Sequence, residues 1–219
     1  MARFGLFVYH LNVAVNESNR LDRERILPVA TRHFARYGYR RTSLAEIARE
    51  LGVVKGALYY HFPGGKAEIF DTAASCVEAE ILGAMREAAA AAPDARRALE
   101  AIVAAKYDAL RAALDRMGVE PEIARELSRV PREADNFHAG ERQLLEELLA
   151  RGEREGVLRR MRSRGATAAA LQSMLGEPVL LAALSRSPPA SGARALPPAF
   201  FDILFPGLAA PVGSRRAEV

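Results

Sequence analysis

Residues 42–66 read TSLAEIARELGVVKGALYYHFPGGK. Thr42 and Ser43 are helix-starting residues. Ser43 and Glu46 form an S-x-x-E box, which can satisfy two of the amide groups orphaned at a helix start. Leu44, Ile47, Ala48 and Leu51 then recur at helical spacing and give one apolar stripe. Gly52 follows, where a tight turn needs a left-handed backbone, and Val53 anchors that turn. A second short helix is predicted over about Val54 to His61, with Leu58 and Phe62 facing inward. The small Ala48 lets the two helices cross closely. This is the pattern of a helix-turn-helix unit, whose second helix enters the major groove of duplex DNA.

The residues left to face outward suit that task. Val54 opens the second helix, and Lys55 near its start is a donor for phosphate or guanine. Gly56 and Ala57 are small, so the backbone can approach the groove floor. Tyr59 and His61 can donate to phosphates, and Tyr60 can pack on sugar or base edges. Thr42 and Ser43 can bring hydroxyls and a helix N-terminus to a phosphate. The competing reading is an ordinary helical hairpin with its aromatic residues in a core. Three adjacent large, polar-tipped side chains cannot all point into one core from one helix, which disfavours it.

The run GVVKGALYYHF, residues 52–62, resembles the signature of the tetracycline-repressor (TetR) family, G-V-x-K-G-x-L-Y-x-H-F. Upstream, ILPVATRHFARYGYRR, residues 26–41, resembles that family's first helix and its exit, through Phe34, Gly38, Tyr39 and Thr42. The close resemblance covers roughly Leu21 to Phe70. It implies an N-terminal three-helix DNA-binding domain and a larger helical domain that dimerises and binds a small-molecule effector. It further implies repression of transcription, relieved by that effector. Two departures stand out. Pro63-Gly64-Gly65-Lys66 is one residue longer than the commoner spacing, and Lys66 is still expected to start the fourth helix and reach a phosphate. Pro28 falls inside the predicted first helix, where proline costs roughly 3 kcal/mol. Either the helix starts near Leu27, with Pro28 in its first turn, or it kinks there.

Charge is placed accordingly. Between Arg20 and Lys66 there are ten basic and four acidic side chains, a net +6. The chain as a whole carries +4, which leaves −2 for the remainder. A basic excess over the candidate DNA-binding part is what phosphate binding requires. Lys55, Lys66 and Lys106 are the three lysines of the chain, and the other 28 basic residues are arginines. Two of the three lysines fall where the resembled family uses lysine. One cysteine, Cys76, excludes an intrachain disulfide framework and points to a reducing cytosol. It sits in an apolar helical stretch and reads as a small buried core residue, with a redox-sensing thiol as the alternative.

The N-terminal residues 1–19 carry an apolar run, Phe4 to Val15, interrupted by His10 and Asn12. It is too short for a membrane span, which takes about 20 residues, and it lacks the layout of a signal peptide. It reads as a disordered or docking arm, or as the product of an upstream start codon.

Beyond Lys66 an alanine-rich helix is predicted to Ala92, with Ile69, Phe70, Ala73, Val77, Ile81 and Met85 along one side. Pro93-Asp94 opens the next, closed at Gly118. A short helix follows at about Glu122 to Arg129, and Pro131 opens another that reaches about Gly152. Ala166 to Leu184 is strongly apolar and is expected to bend at Gly176-Glu177-Pro178. Ser185 to Leu196 reads as a loop, and Pro198 opens a last apolar helix before Pro206-Gly207. No segment alternates with period two, so no sheet is expected. The predicted fold is all-α with about nine helices. Residues 20–66 form the DNA-binding domain, 67–208 the effector and dimerisation domain, and 209–219 a tail. Two late apolar helices suggest a dimer four-helix bundle.

Candidate effector-facing residues are Cys76, Met85, Tyr107, Met117, Phe137, His138 and Met174, each equally readable as core. His10, His33, His61 and His138 form no metal-ligand spacing, so no metal or other cofactor is expected. No P-loop, G-x-G-x-x-G or G-x-S-x-G appears, and nothing in the sequence points to catalysis. The expected protein is a cytoplasmic, homodimeric DNA-binding regulator with no membrane partner, which reads a palindromic operator and answers to an effector. The rival is a helical ligand-binding protein whose helix-turn-helix head is vestigial or serves protein contacts.

Overall fold

The computed structural model describes residues 21–132, 136–185 and 198–209, without the side chains of residues 198–200 and 203. The expectations for residues 1–19, for most of the 185–196 loop and for the tail after Ala209 lie outside the described residues.

The order of elements is α1 (Arg23–Arg41), α2 (Leu44–Leu51), α3 (Lys55–His61), α4 (Gly65–Ala91) and α5 (Ala95–Met117). It continues with α6 (Pro121–Leu127), α7 (Asn136–Glu155), α8 (Arg164–Leu184) and α9 (Pro198–Leu208). Among the described residues there is no strand, and one isolated antiparallel bridge joins Leu158 to Ala209. The fold is all-α, as expected, because apolar residues recur at helical and never at strand period.

Side-chain caps define several helix starts. Asp22, Asp94 and Ser163 each accept a backbone N–H from the first turn of α1, α5 and α8. Gly118 closes α5 in the left-handed region, at φ 61°. Asp22 also resolves the question of Pro28. α1 starts at Arg23 and runs through Pro28, so neither expected outcome occurs. The carbonyl that proline leaves without its usual donor is that of Glu24, an exposed residue, where water can replace the lost bond. The break in α1 lies instead at Gly38 (φ 76°, ψ 171°).

A second expected bend is absent as well. α8 runs unbroken from Arg164 to Leu184 through Pro178. Pro178 is exposed, and so is Met174, whose carbonyl loses its donor.

The chain forms two compact units that divide between Ala73 and Ala74, inside α4. The head therefore reaches further than residue 66. Ile69 and Phe70 are buried in it, and the Phe70 ring meets Phe34 and Tyr39 edge-on at 5.2 and 5.1 Å. In the head, α2 packs on both α1 and α3. In the body, α5, α7 and α8 pack on one another. They enclose a core that includes Met85, Ile102, Leu145, Leu149, Leu171 and Val179. α8 is long and apolar enough to cross a membrane by length and composition. One side of it, Ala168, Leu171, Leu175 and Val179, lies in this core.

Candidate nucleic-acid interface

The turn between α2 and α3 is built as the sequence predicts. Gly52 stands at φ 72°, and its N–H bonds back to the end of α2. Ser43 caps α2, but it accepts from Ala45 N–H, at 3.2 Å, rather than from Glu46 N–H. Leu58 and Phe62 are fully buried, and this fixes which side of α3 faces out. On that side Tyr60 is 84% exposed and Val54 76%. Lys55 and Gly56 are exposed beside them, and Ala57 and His61 are half-buried. A Cβ added at Gly56 would meet nothing within 4 Å, so the backbone there is open to a close approach.

The aromatic residues divide their work. Tyr59 lies 5.8 Å from the Lys55 ammonium, and its ring covers Gly65, whose Cβ position is 3.0 Å from Tyr59 Cε1. Gly65 stands at φ 63°, so the extra glycine before Lys66 supplies both the left-handed backbone and the room for Tyr59. Tyr60 projects freely, with the His61 ring edge-on at 5.2 Å.

Two residues expected at phosphates make bonds within the head. Thr42 is buried, and its hydroxyl donates to the Gly38 carbonyl at 2.7 Å, with the His33 carbonyl at 3.1 Å. It fastens the Gly38 break. Lys66 does sit in the first turn of α4, but its Nζ donates to the carbonyls of Tyr39 (3.0 Å), Thr42 (3.2 Å) and Arg40 (3.4 Å). The ammonium also lies 4.6 Å from the Tyr39 ring centroid. These bonds satisfy carbonyls orphaned at the end of α1.

Arg23 is a residue that sequence reasoning counted only as charge. It donates to the His61 carbonyl at the end of α3 (3.1 Å) and to Glu68 of α4 (2.8 Å), and it stacks on Phe62 at 4.1 Å. Glu68 also accepts Gly64 N–H at 2.9 Å. Glu50 accepts from Arg32 and lies 2.8 Å from His33 Nε2. The Arg32 hydrogen bond, and then that of His33, hold its carboxyl below the usual carboxylate range. Among basic residues of the head, Arg23, Arg32, Arg36, Arg40, Arg41, Arg49 and Lys55 are exposed.

Residues 26–73 match the model of the family described as bacterial regulatory proteins, tetR family. The HTH-type transcriptional regulator LmrA of Bacillus subtilis is 54% identical over 48 residues, 22% of this chain and 26% of that protein. Residues 26–73 therefore form a tetR-family domain. The HTH-type transcriptional repressor KstR2 of Rhodococcus jostii is 32% identical over 90 residues, 41% of this chain and 44% of that protein. The chain thus spans about a quarter to under half of the length of these relatives. A tetR-family regulator structure from Shewanella shares the fold, with a TM-score of 0.61, at 20% identity. That likeness covers 88% of this chain and 100% of the other, so the tetR-type architecture extends through the body.

Of the candidate effector residues, the body gathers Met85, Tyr107 and Phe137 at one core. Met85 and Tyr107 belong to the core, and Phe137 packs partly buried against it. Met117 is half-buried, whereas His138 is exposed and Met174 is 48% exposed. Cys76 is exposed, which corrects the expectation of a buried core residue; its position falls on the outer side of α4. Among the described residues no three His, Cys, Asp or Glu groups are placed to hold a metal.

What the sequence left unremarked is the polar centre of the body. Lys106 of α5 donates to Glu141 of α7 at 2.6 Å, with both side chains buried. Gln172 of α8 donates to Glu141 (3.2 Å) and to the His138 carbonyl (2.7 Å), and accepts from Arg142. The available signal was the rarity of lysine, since Lys106 lies one turn past Ile102 on the buried side of α5.

Proposed function

We propose that the protein is a DNA-binding regulator of transcription, a homodimer that represses from a palindromic operator and is released by a small-molecule effector. The observation that carries the reading is the contrast across α3. Leu58 and the adjoining Phe62 are wholly buried, while Val54, Lys55, Gly56 and Tyr60 stand open on the other side. Lys55 supplies charge for phosphate or guanine, Gly56 admits the groove, and Val54 and Tyr60 offer apolar contact to base edges and sugars. The named repressor among the relatives supports the sign of regulation. Such a protein works beside the chromosome, in the cytoplasm.

Dimerisation is supported by α8. Its outer side exposes Ala170, Met174 and Leu181, and Glu177 is the one charged residue from Gly165 to Leu184. An uncharged, partly apolar helix face suits a second copy of the same face. Two-fold symmetry then asks for half-sites about one helical turn apart or a multiple of it. The effector is assigned to the body, where it favours one dimer state only as far as it binds the two states differently.

The test is selection of duplexes from a random library with the full-length protein, followed by titration. One palindrome should bind tightly, with a steep salt dependence. Equal affinity for the selected and a scrambled duplex would leave the head vestigial and overturn the reading. Sedimentation of wild type and Leu181→Glu checks the dimer, which the charge should split. A thermal-shift screen of small molecules, repeated with operator present, checks the effector; a true one stabilises the protein and releases DNA.

A further inference from the structure

We propose that Lys66 is a positioning residue for the DNA-reading surface and makes no phosphate contact of its own. The inference rests on the DNA-binding reading above. An ammonium has three N–H donors and no acceptor. At Lys66 the three acceptors are on the page: the carbonyls of Tyr39, Arg40 and Thr42, at 3.0, 3.4 and 3.2 Å. The Tyr39 ring covers a further side of the charge at 4.6 Å. No donor is left to offer a phosphate, and the side chain is only part-exposed.

The bonds hold a place that matters for reading DNA. Tyr39 and Arg40 end α1, and Thr42 is the residue before Ser43, the cap of α2. Lys66 thus ties the first turn of α4 to the junction from which α2, and through it α3, sets out. The same turn carries Glu68, which holds Arg23, and Arg23 in turn holds the His61 carbonyl at the far end of α3. One turn of α4 therefore fastens both approaches to α3. Phosphate binding falls to exposed cations of the head, Lys55, Arg36, Arg40, Arg41 and Arg49.

The two roles predict different chemistry on substitution. A phosphate contact survives Lys66→Arg, because a guanidinium binds phosphate at least as well. A compact three-carbonyl site does not, because the planar fork cannot direct three donors from one nitrogen. Lys66→Met keeps the stem and removes every donor.

The experiment uses full-length wild type, Lys66→Arg, Lys66→Met and Lys55→Ala, with the selected 30-base-pair duplex and its scrambled counterpart as probes. Affinity is measured across salt concentrations at a temperature where circular dichroism shows each variant folded. Lys66→Arg and Lys66→Met should lose about tenfold or more in affinity for the selected duplex, with an unchanged slope of log K against log salt. Lys55→Ala should lower that slope by about 0.9. Should Lys66→Met not fold, Lys66→Arg decides alone. Wild-type affinity in Lys66→Arg, or a slope lowered in Lys66→Met, would overturn the proposal while leaving the DNA-binding reading intact. So would lowered thermal stability with affinity and slope both unchanged, which is a merely structural role. A wild type that does not discriminate the two duplexes would overturn the DNA-binding reading, and this one with it.

Discussion

The head and the body solve the same problem, burying polar groups among helices, at different distances along the chain. In the head, Thr42 bonds to Gly38 and His33, four and nine residues away, and Ser43 and Asp22 cap the helices they begin. In the body, Lys106 and Glu141 are 35 residues apart and Gln172 is a further 31 beyond Glu141. Local polar bonds leave a signature in sequence, because the partner's spacing is set by the helix or turn itself. Bonds between distant helices leave none, because any helix in the bundle can supply the partner.

The largest test of that difference is Glu141→Ala. It should strand the Lys106 ammonium in the core and cost about 3–5 kcal/mol, whereas Lys106→Met with Glu141→Leu should be near neutral or stabilising. Urea midpoints read both. A cost under about 1 kcal/mol for Glu141→Ala would mean that the pair is wet and the body's polar centre is no different from a surface bridge.

Glycines sharpen the contrast next. A Cβ at Gly152 would overlap Leu158 and crowd Ala95. Gly152→Ala should therefore destabilise by about 1–3 kcal/mol through overpacking. Gly56 has open space in front of it. Gly56→Ala should stabilise α3 by up to about 1 kcal/mol and still weaken operator binding, so denaturation and titration should move in opposite directions. A parallel loss in both would show that Gly56 serves the fold and not the groove.

Ser43→Ala should cost about 1 kcal/mol for the lost cap. The loss should be confined to the head, seen as faster amide exchange in residues 44–47 with the body unchanged. Spread of the effect into α5 or α7 would show that the two units do not open separately.

The smallest effect concerns Glu50. Its folded-state value is depressed by Arg32 and then His33. The stability it adds is full above roughly pH 4.3, the ordinary Glu value, and is lost as pH falls through the lower folded value. Wild type should therefore exceed Glu50→Gln slightly at neutral pH, with the gap closing on acidification. A gap that widened in acid would reverse the assigned sign.

Legibility followed the same division. Leu58, Phe62, Gly52 and the outward set around Lys55 and Tyr60 were readable from spacing alone. Thr42 was misjudged because a hydroxyl at a helix start can serve the helix before it as well as a phosphate ahead. The internal bonds of Lys66 were not readable because its acceptors are carbonyls more than twenty residues upstream. Pro28 was expected in the first turn of its helix or at a kink, and Pro178 at a bend, yet each helix runs through, since the carbonyls they orphan belong to the exposed Glu24 and Met174. Cys76 was assigned to the core by its apolar neighbours, but one step of helical rotation puts it outside.

By itself the sequence determined the all-α class, the order of the helices, the turn at Gly52 and the outward-facing residues of α3. All of these depend on period, caps and backbone conformations set within a few residues. The tertiary structure decided which partners the charges take: carbonyls for Lys66, His61 and Glu68 for Arg23, Glu141 for Lys106. A cation's role depends on the acceptors that folding brings within about 3 Å, and those come from helices whose mutual packing no local pattern records.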